Sequence, residues 1–155
     1  TEAVNNQKTT LWSAALDNTE VKKYPDRELN HYIEFNSDQL DQTAKQYGVS
    51  REDMLKQYDL DDEDEFNAVN EDSSKLRVKQ EMLIQYIADK ENLSYTDKEK
   101  EALIKSFEAQ GYDADAIEQQ TGRTLEDYVH IELLYEKVLD FLLDNANITG
   151  APTTE

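Results

Sequence analysis

Apolar residues recur along this chain at intervals of three and four, and polar or turn-forming residues divide the recurrence into seven stretches. That period is the signature of amphipathic helices. The first stretch, about Val4 to Asp17, carries Leu11, Trp12, Ala15 and Leu16 on one stripe. Tyr24 precedes a proline and is pushed towards extended backbone, while Pro25 suits the first turn of a second helix. That helix runs from about Asp26 to Gln46 with Leu29, Tyr32, Ile33, Leu40 and Ala44, and Gly48 stops it. Ser50 caps a short third helix that reaches about Tyr58. A fourth starts near Asp62, where acids favour the positive end of the helix dipole. It is expected to continue to Lys90 with Leu76, Leu83 and Ile87 as its buried seam and a bend at Asp72-Ser73-Ser74.

Thr96-Asp-Lys-Glu99 has the form of a capping box, followed by Leu103, Ile104 and Phe107 and closed by Gly111. A short sixth helix, about Asp113 to Gln120, ends at Gly122. Thr124 caps the last, which reaches about Asn145 with Tyr128, Ile131, Leu134, Tyr135, Val138, Phe141 and Leu142. Apolar around much of its circumference, this helix is expected to be central. No alternating β-branched run of useful length occurs, so strands are not expected. The predicted fold is all-α, with about seven helices in a domain over residues 1–147 and a disordered tail at 148–155.

One longer period is present. Gln46-Tyr-Gly48, Met54-Leu55 and Glu65-Phe66 find counterparts in Gln110-Gly111-Tyr112, Ile117 and Asp127-Tyr128, at offsets of 63 and 62 residues. Two copies of a helix, short helix, long helix unit would set two similar corners at different points of the molecule.

Composition sharpens the picture. Hydrophobic residues are 37% of 155, and nine tyrosines are included in that share, so the core is thin. The sequence therefore predicts one domain, or two small lobes sharing a core, in an extended arrangement. Acidic residues outnumber basic ones 35 to 16, and a net charge of −19 argues against nucleic acid and against anionic membrane surfaces. It favours a monomer, with a weak dimer as the alternative. No apolar run is long enough to span a bilayer. The chain opens without Met or a signal-peptide pattern and reads as a piece of something longer.

No catalytic, cofactor or metal site is expected. His31 and His130 lie far apart, and His130 reads as a structural histidine. The acid run from Asp59 lacks the sixth-position glycine of a calcium loop (Asp64 stands there), and Asn70 stands where a bidentate Glu belongs. Four scattered glycines cannot build a phosphate-cradling loop. The remaining signal is aromatic. Tyr24, Tyr32, Phe35, Tyr47, Tyr58 and Phe66 fall in the first half on helices with thin apolar stripes, where most are expected simply to pack helices together. Tyr32, Phe35, Met54, Tyr58, Leu60 and Phe66 are the candidates for an open groove accepting apolar polypeptide segments.

Several segments, in order, resemble the C-terminal domain of bacterial trigger factor. They are Leu11-Trp12 through Glu20-Val-Lys-Lys-Tyr24-Pro25, then Lys79-Gln-Glu-Met82-Leu-Ile-Gln-Tyr-Ile-Ala-Asp-Lys-Glu91, then Leu93-Ser-Tyr-Thr96-Asp, and Leu133-Leu-Tyr-Glu-Lys-Val-Leu-Asp-Phe141-Leu. The likeness covers about residues 8–146. It implies an all-helical chaperone module with two arms that cradle unfolded or nascent polypeptide, a fold shared with the chaperone module of SurA. It also implies a linked FKBP-type prolyl isomerase domain and a cytoplasmic setting, with an extracytoplasmic lipoprotein as the alternative. An acidic scaffold that positions a neighbouring domain or one specific partner is the competing function.

Overall fold

A computed structural model describes residues 2–146, and the tail expected at 148–155 lies outside them. Seven helices follow in order: α1 Glu2–Asp17, α2 Asp26–Tyr47, α3 Arg51–Gln57, α4 Glu63–Glu91, α5 Asp97–Ala109, α6 Ala114–Thr121 and α7 Leu125–Asn145. There is no strand among the described residues. The helix ends carry the signals their residues announce. Ser50, Asp113 and Thr124 each accept a backbone N–H three residues on, and Thr96 with Glu99 completes a reciprocal capping box. Pro25 stands just outside α2 rather than in its first turn, and its carbonyl accepts the Leu29 N–H at 3.1 Å.

The chain divides into two compact units, one drawn from Thr1–Glu20 and Leu83–Glu155 and the other from Val21–Met82. In the first, α7 packs against α1, α5 and α6. Its core gathers Trp12, Leu83, Ile84, Ala88, Leu134 and Val138, and the Trp12 and Tyr135 rings meet edge to face with centroids 5.0 Å apart. The expectation of a central last helix therefore holds within this unit. His130 is part of its structure, bonded through Nδ1 to the Tyr95 hydroxyl (2.8 Å) and through Nε2 to Gln85 Oε1 (3.3 Å).

The second unit has its own core, Leu40 and Ala44 of α2 against Met54 and Leu55 of α3, with Val49, Leu60 and Phe66 packed on it. Each unit thus has its own cluster of buried apolar residues. One expectation for α4 is also corrected. Leu76 is 52% exposed and is not part of a buried seam. In the second unit the inward positions are instead Asn70, Ser74 and Val78, spaced by four. The helix continues without interruption through Asp72-Ser73-Ser74. The Ser73 hydroxyl donates to the Asn70 carbonyl (3.0 Å) and Ser74 to Asn70 Oδ1 (3.2 Å), so these hydroxyls bond inside the turn and leave the helix ladder intact.

The repeated corner exists in three dimensions. In both copies a residue in the left-handed region follows the first helix: Gly48 at φ 67° and Gly111 at φ 86°. The next N–H then reaches back to a carbonyl five residues earlier, Val49 to Ala44 and Tyr112 to Phe107, each at 3.0 Å.

Glu99 ties the start of α5 to α7. It accepts the Thr96 N–H (2.7 Å) at the start of α5 and the Lys137 ammonium (2.5 Å) of α7. The Lys137 bond first, then the Thr96 bonds, hold its carboxyl down at about 2, against an ordinary 4.5. A carboxyl depressed in the folded state stabilises fully above its unfolded pKa and loses that contribution as pH falls through the folded one. Urea titrations of the wild type and Glu99→Gln should therefore differ at neutral pH, and the gap should close between about pH 4.5 and about pH 2. A gap that persists unchanged at the acid end would contradict this.

Candidate functional site

The α2–α3–α4 corner leaves one side open. A groove of about 440 Å³ lies there, entirely within the second unit. Its two long walls are one face of α2 (Asn36, Gln39, Leu40, Thr43) and one face of α4 (Phe66, Val69, Asn70, Ser73), each set spaced by three and four. Tyr58 and Leu60, from the end of α3 and the turn after it, close one side.

Local chemistry explains why those two residues are delivered there. Asp59 adopts the left-handed conformation at φ 58°, which the short polar side chain of Asp tolerates better than most. The Leu60 N–H then reaches back to the Leu55 carbonyl at 3.0 Å, and the Leu60 side chain folds onto the Leu40–Leu55 core. Glu65 stabilises the next bend by accepting the Asp61 N–H, while Asp62 accepts the Glu65 N–H.

Phe66 is held from behind by Arg51, whose guanidinium sits 5.0 Å from the ring centroid. The same guanidinium donates to the Ser37 carbonyl and hydroxyl (both 3.1 Å), to Asp41 Oδ1 (2.8 Å), and in a fork to both oxygens of Glu63 (2.6 and 3.2 Å). One side chain at the start of α3 thus joins α2 to the beginning of α4. The Glu63 hydrogen bond raises the Arg51 pKa above its ordinary value, with Asp41 adding to it against partial desolvation.

Below the groove lies a polar network. Asn70 Nδ2 donates to the Ile33 carbonyl (2.9 Å), which fixes the amide and turns its Oδ1 towards Asn36 Nδ2 (2.8 Å) and the Ser74 hydroxyl (3.2 Å). Asn70 and Ser74 are buried, and no buried side-chain nitrogen or oxygen among the described residues lacks a partner.

The six candidates read from sequence separate into two groups. Tyr58, Leu60 and Phe66 meet around the groove, and Tyr58 is 57% exposed. Met54, only 2% exposed, lies in the core on which Leu60 and Phe66 rest. Tyr32, 1% exposed, donates its hydroxyl to Glu81 (2.7 Å), and the Arg77 guanidinium lies 4.1 Å from its ring centroid. Neither Met54 nor Tyr32 offers surface to a ligand. Phe35 is half-buried on α2 and is not among the groove's lining residues. Sequence reasoning missed Val69, Leu40 and the whole uncharged polar ridge. A findable signal existed: eight positions on two helices, at helical spacing, without one charge in a chain that is 33% charged.

The second copy of the corner carries different side chains. Phe107 occupies the position that Ala44 has in the first, and its ring meets Tyr128 with centroids 5.7 Å apart.

Among the described residues, no three His, Cys, Asp or Glu side chains form a group able to hold a metal ion, and no helix is long and apolar enough to cross a membrane. Fold and site together define an all-helical module with an uncharged, partly apolar groove. Comparison with known proteins gives the family. The model for the bacterial trigger factor protein C-terminus matches residues 1–144, and the chain belongs to that family. It is similar to the trigger factor of Staphylococcus saprophyticus, at 28% identity over 96% of this chain and 33% of the relative. It is also similar to the trigger factor of Staphylococcus epidermidis strain RP62A, at 27% over 97% of this chain and 34% of the relative. The chain therefore spans about a third of the length of these curated relatives. No solved structure gives a significant match.

Arg51→Ala should lower stability by about 1–2 kcal/mol in urea unfolding, a range reduced for the residue's partial exposure. Arg51→Lys should recover only part of the loss, because an ammonium keeps the charge without the fork or the ring stacking. Full recovery by lysine would show that charge alone matters here.

Proposed function

We propose that this chain is the polypeptide-holding module of a trigger-factor-like chaperone, and that the α2–α4 groove is one of its contact points for unfolded or nascent chains. Membership of the trigger factor C-terminal family supports a chaperone-related role. The observation that carries the finer reading is the groove itself. It is an opening without charged lining, walled by Tyr58, Leu60, Phe66 and Val69, in a chain of net charge −19. Apolar surface exposed this way favours a transient partner.

The energetics suit holding rather than tight capture. A fully buried large side chain contributes about 1.5–3 kcal/mol, whereas micromolar affinity needs about 8 kcal/mol. One groove filled by one or two client side chains thus binds weakly and releases quickly, and useful affinity comes from several contacts at once. The surrounding carboxylates keep holder and holder apart while clients are bound. In the full-length protein we place this module beside an FKBP-type prolyl isomerase domain, in the cytoplasm.

The test is aggregation suppression of a chemically unfolded model protein diluted into this chain at low and high salt. Suppression should survive high salt. Tyr58→Ser with Val69→Ser, which removes exposed side chains outside the core, should cut suppression severalfold while circular dichroism stays helical. Suppression that vanishes in salt would point to the acidic scaffold instead, and suppression untouched by the double variant would remove the groove from the mechanism.

A further inference from the structure

Resting on the groove reading above, we infer that Asn36, Thr43 and Ser73 make the groove selective for extended segments with free backbone N–H groups, against proline-containing and helical ones. The argument starts from where the protons go. The Thr43 hydroxyl donates to the Gln39 carbonyl (2.8 Å) and the Ser73 hydroxyl to the Asn70 carbonyl (3.0 Å). Each hydroxyl has one proton, so what remains on each oxygen is lone pairs. Asn36 is committed in the same way. Its Nδ2 gives hydrogens to Asn70 Oδ1 (2.8 Å) and Ser74 Oγ (3.2 Å), an orientation fixed by the Asn70 bond to the Ile33 carbonyl. Its Oδ1 is left to accept. Asn36 is only partly buried and is one of the residues that line the groove, so this oxygen can accept from a ligand there.

Two of these acceptors stand on the α2 wall and one on the α4 wall, beside Leu60, Phe66 and Val69. The complementary ligand presents donors next to a bulky apolar side chain. An extended polypeptide does both, because each residue except proline carries a free N–H. A helical segment uses its N–H groups internally beyond the first four, and its apolar face would leave the three oxygens facing hydrocarbon, without donors. Charge points the same way. The lining bears no charge that would favour a charged ligand side chain, while Asp59, Asp61, Asp62, Glu63, Asp64 and Glu65 flank it and repel acidic segments.

Fluorescence anisotropy with the full chain tests this. The probe is a short labelled peptide of Ser and Val around one Phe, compared with the same peptide N-methylated on the residues flanking the Phe. The methylated peptide should bind about fivefold more weakly for each hydrogen bond lost. Thr43→Val with Ser73→Ala should weaken the unmodified peptide by a similar factor, leave the methylated one unchanged, and so erase the discrimination. Equal binding of both peptides to the wild type would overturn the inference while leaving the groove reading intact. Undiminished binding of the unmodified peptide to Tyr58→Ser with Val69→Ser would overturn both.

Discussion

A buried amide governs how α2 meets α4. Asn70 is enclosed at an inward position of α4, and its bonds run to the Ile33 carbonyl, Asn36 and Ser74. An apolar seam tolerates sliding by a fraction of a turn, because hydrophobic contact is non-directional. An amide fixed to a backbone carbonyl does not, since a shift would strand a buried donor and acceptor at about 1–3 kcal/mol each. The register of the two walls, and with it the groove between them, follows from that network.

Around this fixed register the second unit is built from short reach-back turns and one ionic junction. Gly48 and Asp59 each turn the chain through the left-handed region, and each is followed by an apolar residue, Val49 or Leu60, that folds onto the small core. Arg51 then joins α2, α3 and the start of α4 while supporting Phe66. In this way a core of four buried residues carries a wall of partly exposed aromatic and aliphatic surface. The first unit has a larger core and uses its equivalent corner for packing, with Phe107 against Tyr128 where the second unit has only Ala44. One supersecondary plan thus recurs in both units, with Ala44 in one copy and Phe107 at the equivalent position of the other.

The acidic composition and the groove belong to one design. A surface with large net charge disfavours self-association, and that is the condition under which an apolar opening can stay available to a partner. The groove itself is exempt from the charge, with amides and hydroxyls where the rest of the surface has carboxylates and ammonium groups.

Much of the fold was legible in the sequence because its signals are local. Seven periodic stretches, the caps at Ser50, Thr96 and Thr124, the stops at Gly48, Gly111 and Gly122, and the repeated corner are all decided within a few residues of where they act. The family likeness and three of the groove residues, Tyr58, Leu60 and Phe66, were legible for the same reason. Tertiary structure alone decided which face of each helix is covered. Leu76 is apolar and exposed, Asn70 and Ser74 are polar and buried, and Tyr32 and Met54 are enclosed. A polar side chain can be buried wherever a partner from another helix satisfies it, and nothing within one helix states that the partner is there. The openness of one corner and the commitment of the Asn36 hydrogens to Asn70 and Ser74 arise from such meetings between helices, which is why they appear only in three dimensions.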